Sequence, residues 1–120
     1  MKTGRKISGG KYKKQRKRRI RDLQGQRRIV KLGKNRRKTK RTSGGNKKVV
    51  LFLAEEINVK LKDGKIKRTK IKNVLETPAN KFLARQNVIT KGSILETELG
   101  KVKVKSRPSQ SGILNGILID

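Results

Sequence analysis

The basic side chains are concentrated in the N-terminal part of this chain, and that distribution limits what the chain can fold into. Residues 1–48 contain 22 Lys or Arg side chains and one acidic side chain, whereas residues 49–120 contain 14 and seven. The densest run is Lys11–Arg21, in which eight of the eleven residues are basic. Burying a charge is costly unless an opposite charge meets it. The run therefore needs an external polyanion, because the chain supplies too few carboxylates.

Apolar residues have the opposite distribution, with eight in the first 48 positions and 29 in the remaining 72. The two distributions together predict a basic arm over residues 1–48 and a small globular domain over residues 49–120. We expect the arm to be disordered alone, to become ordered on its partner and to contribute little to the fold. A net charge of +28 opposes compaction, and an anionic surface would relieve that repulsion.

Two short features interrupt the basic arm. The tripeptide Ser8-Gly9-Gly10 recurs as Ser43-Gly44-Gly45. It is either a coincidence in a Gly- and Lys-rich chain or a pair of backbone elbows that let the flanking cations follow a phosphate path. Three apolar residues, Ile29, Val30 and Leu32, could form a short anchor inside the second basic block.

From Val49 onward the pattern is typical of β-structure. Val49–Ala54 is a short apolar run that predicts a buried strand. Asp63-Gly64 predicts a hairpin turn between Ile57–Lys62 and Lys65–Leu75. Pro78 precedes a single short helix over Ala79–Gln86. The further predicted strands are Val88–Thr90, Ser93–Leu99, Lys101–Ser106 and Ile113–Ile119, with a loop from Arg107 to Gly112. Six or seven short strands predict an all-β fold, a small closed barrel.

Composition argues against an enzyme. The chain has neither Cys nor His, which removes the thiolate nucleophile, the commonest general base and the commonest metal ligands. The close carboxylates are Glu55-Glu56 and Glu96 with Glu98, which we interpret as solvated charges that balance nearby lysines. No phosphate-loop pattern is present. We therefore predict no catalytic residue, no metal site, no cofactor and no small-molecule substrate.

The aromatic residues narrow the kind of nucleic-acid recognition. Only Tyr12, Phe52 and Phe82 are present. We assign Phe52 and Phe82 to packing, whereas Tyr12 could equally stack on a base or pack against aliphatic stems. Single-strand binders need several exposed aromatics. Recognition is therefore expected through phosphates, riboses and the shape of folded RNA.

Basic runs also occur in nuclear-import signals, chromatin tails and membrane-surface patches. A membrane is disfavoured because the chain has no amphipathic apolar face, no lipidation motif and no apolar run of spanning length. A DNA-architectural chromatin protein stays open, since a compact β module with a basic arm would also serve there. An enzyme acting on RNA is a third and weaker hypothesis.

Several separated motifs resemble a known family. The run G-R-K-I-S-G-G-K-Y-K-K-Q-R-K-R-R (Gly4–Arg19) and the junction R-T-S-G-G-N-K-K (Arg41–Lys48) resemble the archaeal and eukaryotic family of eukaryotic-type protein eight of the small ribosomal subunit, which is distinct from the bacterial-type protein of that number. Later blocks similar to it, in the same order, are Pro78–Gly92, Glu96–Val104 and Ser106–Gly112. The length and the ending resemble archaeal members.

The resemblance implies a structural ribosomal protein whose β-barrel sits on small-subunit ribosomal RNA while its basic arm threads into that RNA. It also implies a cytoplasmic location in the small subunit, contacts with other small-subunit proteins, and a monomer within the ribosome. A related family of ribosome-assembly factors shares this plan but has longer chains. Thr77, Gln86, Ser109 and Ser111 depart from the pattern expected of the family.

The residues predicted to bind RNA are mostly the cations of the arm and of the family-like blocks. They are Arg5, Lys6, Lys11, Tyr12, Lys13, Lys14, Arg16, Lys17, Arg18, Arg19, Arg21, Arg27, Arg28, Arg36, Arg37, Arg41, Asn46, Lys47, Lys48, Lys81, Arg85, Lys91 and Arg107.

Overall fold

The structure of the protein is a computed structural model, which describes residues 4–119. Over this range, a three-stranded sheet is followed by a closed barrel and one short helix. The elements in chain order are β1 (Lys31–Leu32), β2 (Arg36–Arg41), β3 (Lys47–Ala54), β4 (Glu56–Lys60), β5 (Ile66–Glu76), α1 (Lys81–Arg85), β6 (Ile94–Thr97), β7 (Gly100–Val104) and β8 (Asn115–Ile119). None of the helices in the described range has the length and apolar character that crossing a membrane requires.

The barrel closes through strands β4 to β8. Neighbouring strands along the chain pair antiparallel, and β8 closes the barrel by pairing parallel with β4. Paired residues can be followed from strand to strand around the barrel, starting at Ile66 of β5. This path comes back to β5 at Glu76, ten residues further along the chain. Such a stagger is what closing a small barrel requires. The predicted all-β barrel with one short helix is confirmed.

Five strands close the barrel, rather than the six or seven expected, for two reasons. Strand β3 belongs to the separate sheet, and Val88–Thr90 forms no strand beyond one isolated bridge between Val88 and Lys31. The backbone there binds the N-terminal segment instead. The Ile89 amide donates to the Val30 carbonyl at 2.8 Å, and the Leu32 amide donates to the Asn87 carbonyl at 3.0 Å.

The separate sheet has the strand order β1-β3-β2, with β2 antiparallel and β1 parallel to β3. Strand β3 runs across the position between residues 48 and 49 where we expected the arm to end. Strand β2 is made almost entirely of cations and is exposed along its whole length. It has no alternation of apolar and polar residues, so its sequence gives no strand signal. Its pairing with β3 is what orders it.

The N-terminal segment also contributes to the core. Val30 is only 2% exposed and packs in the same apolar cluster as Leu51, Ile89 and Leu95, with Leu32 partly buried against it. The anchor predicted in the second basic block is therefore confirmed for Val30 and Leu32. Ile29, by contrast, is 46% exposed. The expectation that residues before 49 contribute little to the fold was wrong.

The barrel interior has no room for a side chain at the position of one glycine. Gly116 on β8 is buried, and a Cβ added there would meet Val102 Cγ1 at 2.5 Å and both Ile57 Cδ1 and the Lys103 carbonyl at 3.0 Å. All three contacts come from the neighbouring strands β4 and β7, and one of them is backbone, so the wall cannot give way easily. A side chain at this position would force the strands apart.

We predict that Gly116→Ala lowers the free energy of unfolding by about 1–3 kcal/mol, the usual cost of overpacking a core. The matched control is Gly25→Ala, because a Cβ there meets no atom within 4 Å. Urea denaturation followed by far-UV circular dichroism measures both variants. Equal stability of the two variants would contradict the packing described for β8.

Candidate nucleic-acid interface

The first candidate surface is the extended N-terminal segment. Between residues 12 and 28 the backbone is irregular apart from one 3-10 turn at Ile20–Asp22. Asp22, the acidic residue of this part, accepts hydrogen bonds from the Arg16 guanidinium at 2.9 Å and from the Arg19 amide at 3.1 Å. An exposed pair of this kind contributes little to stability. The remaining cations of the segment have no carboxylate partner within residues 4–119.

The tripeptide Ser8-Gly9-Gly10 forms a turn. The Gly9 amide donates to the Lys6 carbonyl and the Lys6 amide donates to the Gly10 carbonyl, both at 2.9 Å. Gly9 has φ of +78°, a conformation that glycine adopts without strain. The turn reverses the chain, so that Arg5 and Lys11 form an antiparallel bridge.

Ser43-Gly44-Gly45 forms a second turn, between β2 and β3. The Thr42 amide and hydroxyl donate to the Asn46 carbonyl at 2.7 and 3.0 Å. Gly44 and Gly45 both have φ of +78°. This turn places Arg41 opposite Lys47 and Lys40 opposite Lys48 in the ladder. Both copies of the tripeptide therefore have the same effect on the backbone. Each copy reverses the chain and brings cations face to face.

Like charges directly opposite each other destabilise a β-ladder. Three such pairs occur at the two turns: Arg5 with Lys11, Lys40 with Lys48, and Arg41 with Lys47. The Lys48 ammonium also binds the Gln110 side-chain oxygen, which holds it toward the barrel loop. Anionic groups bound between the opposed side chains would relieve this repulsion. The geometry therefore suits a polyanion.

A groove collects cations that are far apart in the sequence. Its walls are formed by residues 25–30, 88–91 and 107–110 together with Leu83 of α1, and it contains Arg27, Arg28, Lys91 and Arg107. The Ile89 amide donates to the Val30 carbonyl and joins the first two walls, whereas the Leu51 amide donates to the Pro108 carbonyl and fixes the third wall to β3. Arg28 is half-buried, whereas Arg27, Lys91 and Arg107 are exposed. The groove offers three guanidinium groups and one ammonium to a single ligand.

Sequence reasoning missed cations on the other side of the same segment. Lys40 lies with Arg27, Arg28 and Phe52 along a second concave surface, and Lys38 precedes it on β2. No motif in the sequence marks these lysines. Their position on β2 would have indicated them as candidates, but the sequence did not predict this strand.

The remaining predicted RNA-binding residues are exposed but lie at separate places. Lys13, Lys14, Lys17, Arg18 and Arg21 follow the extended segment, Arg36 and Arg37 open β2, and Asn46 ends the second turn. Lys81 and Arg85 lie on α1, which packs beside β5 and lines the groove through Leu83 but not through these two cations.

The aromatic side chains only partly follow prediction. Phe52 is half-buried, consistent with packing. The assignment of Phe82 to packing was wrong, since this ring is 68% exposed. Helix α1 has only five residues, and it turns Leu83 and Ala84 inward, so Phe82 is left outside. Tyr12 is also exposed, and the Lys6 ammonium lies 5.8 Å from its ring centroid.

No group of three or more His, Cys, Asp or Glu residues that could hold a metal occurs within residues 4–119. Glu96 on β6 is exposed and pairs across the ladder with Lys101, which agrees with its interpretation as a solvated balancing charge.

Comparison with known proteins identifies the family. The family model described as ribosomal protein S8e matches residues 1–119. The chain is a member of the ribosomal protein S8e family. This confirms the resemblance stated from the sequence motifs. The S8e proteins are ribosomal proteins and not enzymes, which also confirms that the chain belongs to a non-enzymatic family.

Archaeal S8e relatives align along nearly their whole length. A protein from Staphylothermus marinus named "Small ribosomal subunit protein eS8" is 45% identical over 118 residues, which cover 97% of this chain and 92% of the relative. Proteins of the same name from Methanospirillum hungatei and Methanoregula boonei are 39% and 40% identical, and the alignments cover 94% and 93% of those relatives. The arm-like segment is thus inside the shared S8e region.

The contact between Val30 and the barrel side of the groove generates a stability prediction. We predict that Val30→Ala lowers the free energy of unfolding by about 2 kcal/mol, because two buried methyl groups are lost. It should also speed tryptic cleavage after Arg27 and Arg28, since the wall they belong to loses its buried contact. Chemical denaturation and limited proteolysis measure the two effects.

The matched control is Ile29→Ala, one residue away, whose side chain is 46% exposed against 2% for Val30. It should change the unfolding free energy by less than about 0.5 kcal/mol. If the two variants were equally stable and equally resistant to trypsin, the N-terminal segment would not be anchored as described.

Proposed function

We propose that this protein is a structural constituent of the small ribosomal subunit and binds folded ribosomal RNA through phosphate and shape contacts. The observation that carries the proposal is the face-to-face placement of cations at both Ser-Gly-Gly turns, without carboxylates to separate them. Membership of the S8e family supports the ribosomal setting.

The proposed interaction uses phosphate oxygens as the missing opposite charges. A phosphate between Arg41 and Lys47, or between Arg5 and Lys11, would turn each repulsive pair into two attractive contacts. Consecutive phosphates along an RNA strand could then occupy successive cations of the arm. Under this proposal residues 1–48 are the RNA-binding part and become ordered on ribosomal RNA. Within that part, residues 31–48 also build the first sheet of the body.

The groove gives the body its own RNA contact under this proposal. Arg27, Arg28 and Arg107 could each present a planar fork to paired phosphate oxygens, whereas Lys91 would act as a point charge. Because the groove joins the arm to the barrel loops, RNA bound there would fix the direction in which the arm leaves the body. The proposal places the protein in cytoplasmic ribosomes, as a single copy, next to other small-subunit proteins.

One feature keeps a DNA-architectural role as an alternative. The hairpin of β2 and β3 is a two-stranded ribbon lined with cations, and such a ribbon fits the major groove of duplex DNA. Competition between duplex DNA and folded small-subunit RNA for the full-length protein tests this alternative. A preference for the duplex would support the DNA-architectural role.

A ribosome-assembly factor is the other alternative. Stable presence of the protein in mature small subunits would distinguish a structural constituent from an assembly factor.

We predict a steep salt dependence for binding of the full-length protein to folded small-subunit RNA. Roughly six to ten phosphate contacts would reduce the association constant about 10³–10⁵-fold between 50 and 200 mM salt. The double variant Arg41→Gln with Lys47→Gln should lower the slope of log K against log salt by about 2, one for each lost phosphate contact. Filter binding over a salt series measures the slope.

The matched control removes two charges from the barrel. Lys60→Gln with Lys103→Gln changes the net charge equally, yet these lysines lie on β4 and β7, outside the turns and the groove. The control should leave the slope close to that of the unaltered protein. A slope that falls equally in both double variants would show that net charge, rather than the opposed cations, determines binding.

A further inference from the structure

The outer surface of the barrel carries a continuous row of alternating isoleucine and lysine. Strand pairing places Ile66 of β5 beside Lys60 of β4, and Lys60 beside Ile117 of β8. Ile117 in turn lies beside Lys103 of β7, and Lys103 beside Ile94 of β6. Directly paired residues share one face of a sheet. We call these five residues the isoleucine–lysine row.

The row points out of the barrel. Its flanking residues on β4 and β8, Val59 and Gly116, are buried, so the alternation of the strands turns Lys60 and Ile117 outward. Ile66 is 70% exposed and Ile117 is 41% exposed. Ile119, two residues beyond Ile117 on the same face, extends the apolar part. These branched apolar side chains are therefore exposed on the outer surface of the barrel and add little to its core.

The two lysines of the row have no acidic partner in the described part of the chain. None of the ion pairs among residues 4–119 involves Lys60 or Lys103. The next residue around the barrel after Ile94 is Glu76, which lies just outside the row. The five residues of the row are thus a mixture of cationic and apolar side chains without a carboxylate.

The end of the row formed by Lys60 and Ile66 lies away from the cationic turns. Strand β4 leaves the first sheet at Glu56, and Lys60 lies four residues further along, about 13 Å away at the usual rise of a strand. Ile66 follows the hairpin turn at the far end of that strand, where the Leu61 amide donates to the Lys65 carbonyl at 2.9 Å. RNA seated on the cationic turns would therefore leave the Lys60 and Ile66 end of the row uncovered.

We infer that the isoleucine–lysine row is a docking surface for another protein, one that presents carboxylates between apolar side chains. Carboxylates of the partner would reach Lys60 and Lys103, and its apolar groups would cover Ile66, Ile117 and Ile119. The inference rests on the proposed function, because the partner would be a neighbouring protein of the small subunit.

Two other occupants fit the row less well. A phosphate backbone would form ion pairs with the lysines. It offers no apolar surface to the isoleucines, so no free energy would be gained from burying them. A second copy of this chain would bring its own charge of +28 to a cationic face, and the row supplies no carboxylate to offset the repulsion. An acidic, partly apolar protein surface satisfies both residue types.

A photo-crosslinking experiment tests the inference. The full-length protein carries p-benzoylphenylalanine in place of Ile117, is assembled into small subunits, and is irradiated after gradient purification. The expected product is a crosslink to another subunit protein, at a segment that contains Asp or Glu beside apolar residues. Charge reversal by Lys60→Glu with Lys103→Glu should reduce the yield at least about fivefold, whereas Lys72→Glu, on β5 outside the row, should not.

Each other outcome is decisive. A crosslink to ribosomal RNA, a crosslink to a second copy, or no crosslink in subunits that contain the protein would overturn the inference. If the bulky residue prevents incorporation, the same photoreactive residue is placed at Ile66. A folded variant that still binds RNA but does not enter subunits would support docking through this face. The unaltered protein in the same gradient tests the proposed function separately. Its absence from small subunits would refute that function, and the inference with it.

Discussion

Repulsion between cations is the constraint on which the rest of this structure depends. The chain places like charges opposite each other at two turns and supplies one carboxylate, Asp22, to the first 48 residues. A fold can tolerate this only if the cations stay exposed and the remaining residues build a core without them. The separation of a basic N-terminal part from an apolar barrel is the consequence. The same repulsion gives an anionic ligand its advantage, because binding removes a cost that the free protein carries.

The core keeps the cations of the second turn and of the groove in defined positions instead of leaving them on a loose tail. Val30 is buried among barrel and sheet residues, and its carbonyl accepts the Ile89 amide. Strand β3 links the cationic hairpin directly to β4 through Glu55. The body therefore aims the second turn and the groove, whereas the segment from Tyr12 to Arg27 has little structure of its own. On this account the rigid part selects the place on the RNA, and the extended part adds affinity along it.

The barrel could be predicted from sequence because its strands alternate and its hairpin carries Asp63-Gly64, both of which are local signals. Strand β2 could not, since its six residues are all exposed and five are cations, so only its partner β3 reveals it. Val88–Thr90 looked like a strand because it is apolar, yet it binds the N-terminal segment, a non-local contact that no short pattern encodes. The groove was missed for the same reason. Each of its cations was predicted as an individual RNA-binding residue. Their proximity in the fold depends on the positions of Val30 and Pro108, which are set by long-range contacts.

Hydrogen exchange compared between the free protein and the protein in small subunits tests the central claim most directly. The account predicts that amides of residues 13–19 exchange near the intrinsic rate in the free protein and slow by about 100-fold or more in the subunit. Amides of β4–β8 should be protected in both states, and those of β2 that pair with β3 should already be protected in the free protein. Equal exchange of residues 13–19 in the two states would contradict the account, because the basic segment would then gain no order from RNA.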